Sequence, residues 1–354
     1  MTEGSGLVEV KRINLALQGG GSHGAYAWGV LDAFIDDPRI RIEAISGASA
    51  GAMNAVVYAC GFDEEGRPGA KAALEKFWLS VSGEGSLVPA QRQLVDSWID
   101  ATGCMGNPAT QWIGLWARAF TEFVSPYAFN PFNFNPVRQR LVDTVDFDRL
   151  NTNGGVKLFV AATNVRTGRG AIFRQPKLTV DHVMASACLP QFFQAVEIDG
   201  EAYWDGGYAG NPPLWPLFYE TGCHDAVIVQ INPIERPEIP RTPEEIANRL
   251  NEVTFNASLL GELRAADFVA RLVHSGVLNN DDYRLERLHR IGGAGRLANF
   301  SAASKFDASW PFLRELHALG RSDAEAWLAQ NFDAIGVKST LDLDEALNRS
   351  PPKD

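Results

Sequence analysis

The chain has 354 residues, 45% of them hydrophobic and 21% charged, and a formal net charge of -11. This mix excludes a disordered chain, and the length suits one large α/β domain with additions. The acidic balance argues against a nucleic-acid binder and against electrostatic attraction to an anionic membrane surface.

Residues 1–12 read as an N-terminal tail without the apolar core of a signal peptide, and no run approaches the length of a membrane-spanning helix. A cytoplasmic protein is the expectation. Cys60, Cys104, Cys188 and Cys223 are scattered, with no CxxC pair and no metal-ligand spacing. They predict buried, reduced thiols and no metal site.

Residues 13–17 form an apolar run that predicts a first strand, and 25–34 have the apolar spacing of a helix. Between them lies Gln18-Gly19-Gly20-Gly21-Ser22-His23-Gly24. A glycine-rich loop between strand and helix offers backbone N–H groups and a helix N-terminus to an anion. The glycines match GxGxxG, but no acidic residue closes the second strand as a dinucleotide site requires. A P-loop would need Gly-Lys-Ser/Thr, which is absent. The remaining candidate anion is the oxyanion of a tetrahedral acyl intermediate.

The second strand, around 42–45, runs into Gly47-Ala48-Ser49-Ala50-Gly51 and then a small-residue helix. Strand, GxSxG and helix make a nucleophile elbow, in which a strained turn exposes the serine hydroxyl. Ser49 is therefore the candidate acyl-transfer nucleophile. Residues 62–69 read as a polar loop with Gly and Pro, and 71–81 as a short amphipathic helix. An aromatic-rich insertion follows over about 80–135, with Trp98, Trp112, Trp116, Phe120, Phe123, Tyr127, Phe129, Phe132 and Phe134. Trp112, Trp116, Phe120 and Phe123 share a helix face by their spacing. Core packing and a lid or acyl-pocket wall both fit this group.

Further on, 156–164 predict a strand, 166–170 a turn, 180–189 a helix ending before Pro190, and 198–204 a hairpin. The hairpin leads into Asp205-Gly206-Gly207, and 226–231 read as a buried strand. Thr242-Pro243-Glu244-Glu245 is a capping box that starts a long helix reaching 273. Two more helices are expected at 310–319 and 323–332, the second opened by a capping box at Ser322 and Glu325. The tail, 350–354, reads as frayed.

A serine nucleophile needs a base, usually a histidine. Of the six histidines, none of the late ones sits on a loop after a predicted strand. His274 ends a long helix, and His289 and His317 stand in helix-like, charged surroundings. Asp205, after an apolar strand and before two glycines, is the other candidate, since a buried carboxylate can serve as base.

Taken together, Gly19 to Gly24, Gly47 to Gly51 and Asp205-Gly206-Gly207 resemble, in order and spacing, the three motifs of the patatin-like phospholipases. The resemblance covers about 13–232. It implies a three-layer α/β/α patatin-like fold with a mostly parallel central sheet. The domain layout expected is a catalytic domain over 13–235 and a helical C-terminal extension over 236–354. It also implies a Ser-Asp dyad of Ser49 and Asp205 with no histidine. An oxyanion hole is implied around Gly19, Gly20, Gly21 and Ala50, with Gly24, Gly47, Gly51, Gly206 and Gly207 as supporting glycines. His23 stands where the family often has arginine or lysine, which weakens the positive potential of the loop or makes it pH-dependent. His23 is also a second candidate base. The expected activity is phospholipase A or lysophospholipase-like hydrolysis of lipid esters, possible at a membrane surface, with no cofactor. An esterase acting on short acyl esters, acylglycerols or storage polyester, and a non-catalytic lipid-binding protein, stay open beside it. The oligomeric state stays open too.

Overall fold

Strand β1 (Lys11–Leu17) is buried on both sides, so its alternate residues feed two cores. Ile13, Leu15 and Leu17 enter one, and Ala16 enters the other. Strand β7 (Asp225–Gln230) does the same, sending Val227 and Val229 one way and Ala226 and Ile228 the other. A sheet covered on both faces follows, and the computed structural model has that architecture. It describes residues 9–82, 125–236, 238–279, 283–292, 294–300 and 302–347.

The other strands are β2 (Ile40–Gly47), β3 (Lys157–Asn164), β4 (Gly170–Arg174), β5 (Val196–Ile198), β6 (Glu201–Asp205) and β8 (Arg287–Gly292). Their order is β5-β6-β3-β2-β1-β7-β8, with β4 also paired to β3. From β3 to β8 the neighbours run parallel, while β4, β5 and β6 form an antiparallel flank. The helices that bear on the site are α1 (Gly24–Asp36), α2 (Ala50–Val81), α3 (Val180–Ser186), α4 (Trp215–Glu220), α5 (Pro243–His274) and α6 (Trp310–Asn331). Residues of α1, α2, α3 and α6 fill the larger core. Leu217 of α4 and Leu259 and Leu263 of α5 cover the opposite face. This is the mostly parallel α/β/α sandwich with C-terminal helices that the motifs imply.

Four local expectations change. The loop expected at 62–69 is helical, part of a helix running to Val81, with non-helical backbone only at Glu65 and Gly66. Pro68 falls in the first turn after this kink, where its missing N–H costs nothing. Arg67 pins the kink by donating to the carbonyls of Phe34, Ile35 and Asp37 at the end of α1. The helices expected at 310–319 and 323–332 are one helix, with Ser322 in its interior. Arg321 explains the continuity, because it bonds Asp32 and Asp36 of α1 and Glu325 one turn on. Tertiary contacts on both sides of Ser322 override its local cap signal.

His289 lies in strand β8 rather than in helix-like surroundings. It is fully buried between Asp225 Oδ1 (3.1 Å) and Thr340 Oγ1 (2.9 Å). The charges flanking it suggested a solvated segment, but Arg287 is paired with Asp225 across the β7–β8 ladder. His317 is likewise buried, 3.3 Å from Asp32. Cys60, Cys188 and Cys223 are buried free thiols. Trp98, Cys104, Trp112, Trp116, Phe120 and Phe123 lie outside the described residues. No described helix is long and apolar enough to cross a membrane.

Helices α1 and α6 meet backbone to backbone. A methyl group on Gly29 would collide with the His317 carbonyl, and one on Gly320 with the Tyr26 carbonyl. Gly320→Ala is therefore expected to destabilise the fold by about 2 kcal/mol through overpacking, read as a lower urea midpoint with unchanged slope.

Candidate active site

Parallel α/β sheets gather ligands at the carboxyl ends of their strands. Here β1 ends at Leu17 and β2 at Gly47, where the glycine loop and the GxSxG turn begin, and β7 ends beside them at Gln230. Ser49 caps α2 with φ 51° and ψ -122°, a left-handed backbone that a non-glycine residue adopts only at a cost. Strand and helix fold back so tightly that a Cβ on Gly47 would lie 2.6 Å from the Gly51 carbonyl carbon, and one on Gly51 would strike the Leu17 carbonyl. The Ser49 amide donates to Ser186 at the end of α3, to its carbonyl at 3.1 Å and its hydroxyl at 2.9 Å.

The glycine loop lies against this elbow. A Cβ on Gly19 would be 2.7 Å from the Ser49 Cβ, and one on Gly24 2.5 Å from the Ala50 Cβ. The Gly19 N–H is already committed, donating to Asn211 Oδ1 at 2.6 Å. Among the described residues the amides of Gly20, Gly21 and Ala50 make no hydrogen bond, so these are the donors left for an anion beside Ser49. His23 does not share the site. Its Nε2 is 2.8 Å from Ser304 Oγ, and the rings of Phe300 and Phe312 pack on it. Burial first, then the charges of Lys305 and Arg236, lower it to about 3, which makes it a neutral support of the loop at physiological pH.

Asp205 ends β6 and is 1% exposed. Its backbone is fixed on both sides, the amide donating to Cys188 O at 2.8 Å and the carbonyl accepting from Thr163 Oγ1 at 2.7 Å. Oδ1 accepts from the Gly207 amide at 2.7 Å. That close turn needs both glycines, since a methyl on Gly206 would strike the Ala161 carbonyl and one on Gly207 the Phe255 ring. Oδ2 is buried without a fixed hydrogen bond among the described residues. Burial pushes the carboxyl up to about 7, and the Gly207 amide and the adjacent Ser49 side chain pull the other way. A carboxyl of this kind changes protonation near neutral pH and can take a proton from the serine beside it.

The family model for patatin-like phospholipases matches residues 15–218. The chain belongs to that family. It is therefore a lipid carboxylic ester hydrolase. Among solved structures this patatin-like chain is similar to VipD from Legionella pneumophila, at 19% identity over 87% of this chain and 67% of that one, with a TM-score of 0.37. It is also similar to ExoU from the type III secretion system of Pseudomonas aeruginosa, in its complex with SpcU. That identity is 16% over 96% of this chain and 77% of the other, with a TM-score of 0.29. No curated protein matches the chain.

The motifs did not reveal the amides that brace the loop. Gln18 is fully buried, accepting from the amides of Ile231 (2.9 Å) and Asn232 (2.8 Å) and donating to Asn211 O (3.1 Å). Asn232 donates to Gly19 O at 2.8 Å. The one sequence signal was that Asn211 and Asn232 stand directly before prolines, Asn232 at the end of the apolar run 226–231.

The raised Asp205 pKa has a stability consequence. Between about 4 and 7 the folded chain holds a proton that the unfolded chain has lost, so wild-type stability falls as pH rises through this window. Asp205→Asn removes the buried charge. We expect it to melt higher than wild type above pH 7, by on the order of 2 kcal/mol, with the gap closing toward pH 4 in calorimetry.

Proposed function

We propose that this patatin-like enzyme hydrolyses the acyl ester bond of phospholipids or lysophospholipids through a Ser49–Asp205 dyad. The observation that carries this reading is the buried Asp205 carboxyl beside Ser49, where no histidine approaches among the described residues. Ser49 Oγ attacks the ester carbonyl carbon as its proton passes to Asp205. The carbonyl oxygen becomes an oxyanion facing the amides of Gly20, Gly21 and Ala50. The C–O bond to the alcohol breaks, and Asp205 returns its proton to the leaving oxygen. A water molecule, deprotonated by Asp205, then attacks the acyl-serine; the bond from the acyl carbon to Ser49 Oγ breaks, Asp205 returns the proton to Oγ, and the fatty acid leaves. Donors aimed at the oxyanion each lower the barrier by about 3 kcal/mol.

The geometry supports this order of events because the serine and the loop are held before substrate arrives. The Ser49 amide is anchored to Ser186 and the Gly19 amide to Asn211. A cavity next to α3, the helix carrying that anchor, has a mixed lining, with Met184, Cys188, Phe193 and Val196 beside Asn133, Arg138, Asp181 and Gln194.

The test is labelling with a fluorophosphonate, together with fatty-acid release from phosphatidylcholine and lysophosphatidylcholine vesicles. Ser49→Ala is expected to abolish both, and Asp205→Asn to slow both by about 10³-fold with circular dichroism unchanged. Full activity in Asp205→Asn would sink the dyad. Turnover of short-chain esters alone would move the substrate to the non-phospholipid class. Because the base must be ionised, kcat/KM is expected to rise with pH through a midpoint near 7, the value to which burial brings Asp205.

A further inference from the structure

Lys305 lies well beyond the segment matched by the family model, which ends at residue 218. It sits in a 3-10 turn (Ala302–Phe306) that packs on the glycine loop. Its carbonyl occupies the place a Cβ on Gly21 would need, and Gly21 itself is at φ 60°. The neighbouring Ser304 hydroxyl meets His23. The side chain is only 8% exposed, and Nζ donates to Asn232 Oδ1 at 2.8 Å. Asn232, fully buried, passes the bond on, with Nδ2 donating to the Gly19 carbonyl at 2.8 Å. The Gly19 carbonyl and the Gly20 N–H are the two ends of one peptide unit.

Each bond in this chain points the same way. An ammonium polarises the Asn232 amide, the amide polarises the Gly19–Gly20 peptide, and the peptide presents a stronger donor at the Gly20 N–H. We propose that Lys305 is a positioning residue whose charge is relayed through Asn232 and the Gly19–Gly20 peptide to strengthen the Gly20 amide as an oxyanion donor. The proposal rests on the reading of Ser49 and the loop given above.

A plain tether does not need a cation here. Burying an ammonium is costly, and a neutral donor would satisfy Asn232 Oδ1 as well. No described carboxylate pairs with Lys305. Glu252 of α5 attracts it, but that carboxylate is already held by Arg236 at 2.6 Å and Arg249 at 3.1 Å. His23, facing it from the turn before α1, is neutral, and Arg236, from the segment after β7, repels it. The relay therefore delivers an unneutralised charge to the back of the loop. Burial brings the ammonium down to about 8, so the charge is present at pH 7 and is lost in mildly alkaline solution.

The test compares wild type, Lys305→Gln, Lys305→Arg and Ser49→Ala. Lys305→Gln keeps a donor for Asn232 and removes the charge. It is expected to lower kcat about 10-fold with KM unchanged, a fraction of the loss for a direct oxyanion donor because the effect passes through two bonds. It is also expected to slow fluorophosphonate labelling by the same factor and to lose the alkaline fall in kcat expected of wild type above pH 8. Lys305→Arg should recover most of the rate. A Lys305→Gln enzyme with wild-type kcat and an unchanged alkaline limb would overturn the relay. Should Lys305→Gln fail to fold, the wild-type profile decides: a fall in kcat through pH 8 supports the relay, and a flat kcat from about pH 8 to 10 overturns it. Ser49→Ala separates the two readings. If it still turns over substrate, the reading of Ser49 fails and the relay with it. If it is inactive while Lys305→Gln is fully active, the relay alone fails.

Discussion

A serine held at φ 51° is the constraint from which the rest of the site follows. Such a backbone costs on the order of 1–3 kcal/mol and persists only where its surroundings over-determine it. Here the surroundings are covalent and packed at once. The strand–helix connection is closed by Gly47 against Gly51, the Gly19 backbone presses on the Ser49 side chain, and Ser186 takes the amide. Relaxing the serine would open the contact between β1 and α2 and unseat α3. The same helix leads to Cys188, whose carbonyl receives the Asp205 amide, so Ser49 and Asp205 hang from one short segment. Their relative placement is a property of the core.

Three buried aspartates in this chain show how surroundings assign chemistry. Burial opposes ionisation in all of them. In Asp32, hydrogen bonds from His317 and Arg321 and the charge of Lys71 overcome it and hold the carboxyl at about 2. In Asp225, hydrogen bonds from His289, Arg287 and the Gly336 amide drive it well below the usual range. Both are structural acids, tying α1 to α6 and β7 to β8. Asp205 receives only a backbone amide and a serine, both neutral, and burial wins. A carboxyl denied a cation keeps a use for its proton.

Much of this was legible in the residues themselves. The glycine loop, the Ser49 elbow and the Asp205 turn are local motifs, readable because each demands small residues at fixed offsets. The buried strands were legible from uninterrupted apolar runs. What stayed hidden depends on distant partners. Gly66 and Pro68 read as a loop until Arg67 reaches the end of α1. Ser322 and Glu325 read as a helix start until Arg321 ties that stretch to Asp32 and Asp36. Arg287 and Arg290 masked a buried strand because the partner of Arg287, Asp225, is a strand away. Lys305 carries no motif at all, since its surroundings are assembled from β7, α5 and the glycine loop.

The long reach of these contacts bears on how the protein is made. The Tyr26 hydroxyl bonds Asp323, 297 residues later in the chain, and Gly29 lies against His317. A nascent chain that has emerged only as far as β7 already contains Ser49 and Asp205. It still lacks β8, which pairs with the outer edge of β7, the helix that buries Trp28, and the turn that backs the glycine loop. Helix α1 then shows apolar surface to solvent and β7 offers an open edge. Contacts this distant in sequence form late, after most of the loop entropy has been spent. Synthesis of the last fifth of the chain, from β8 on, is thus the step that both closes the fold and completes the surroundings of the glycine loop.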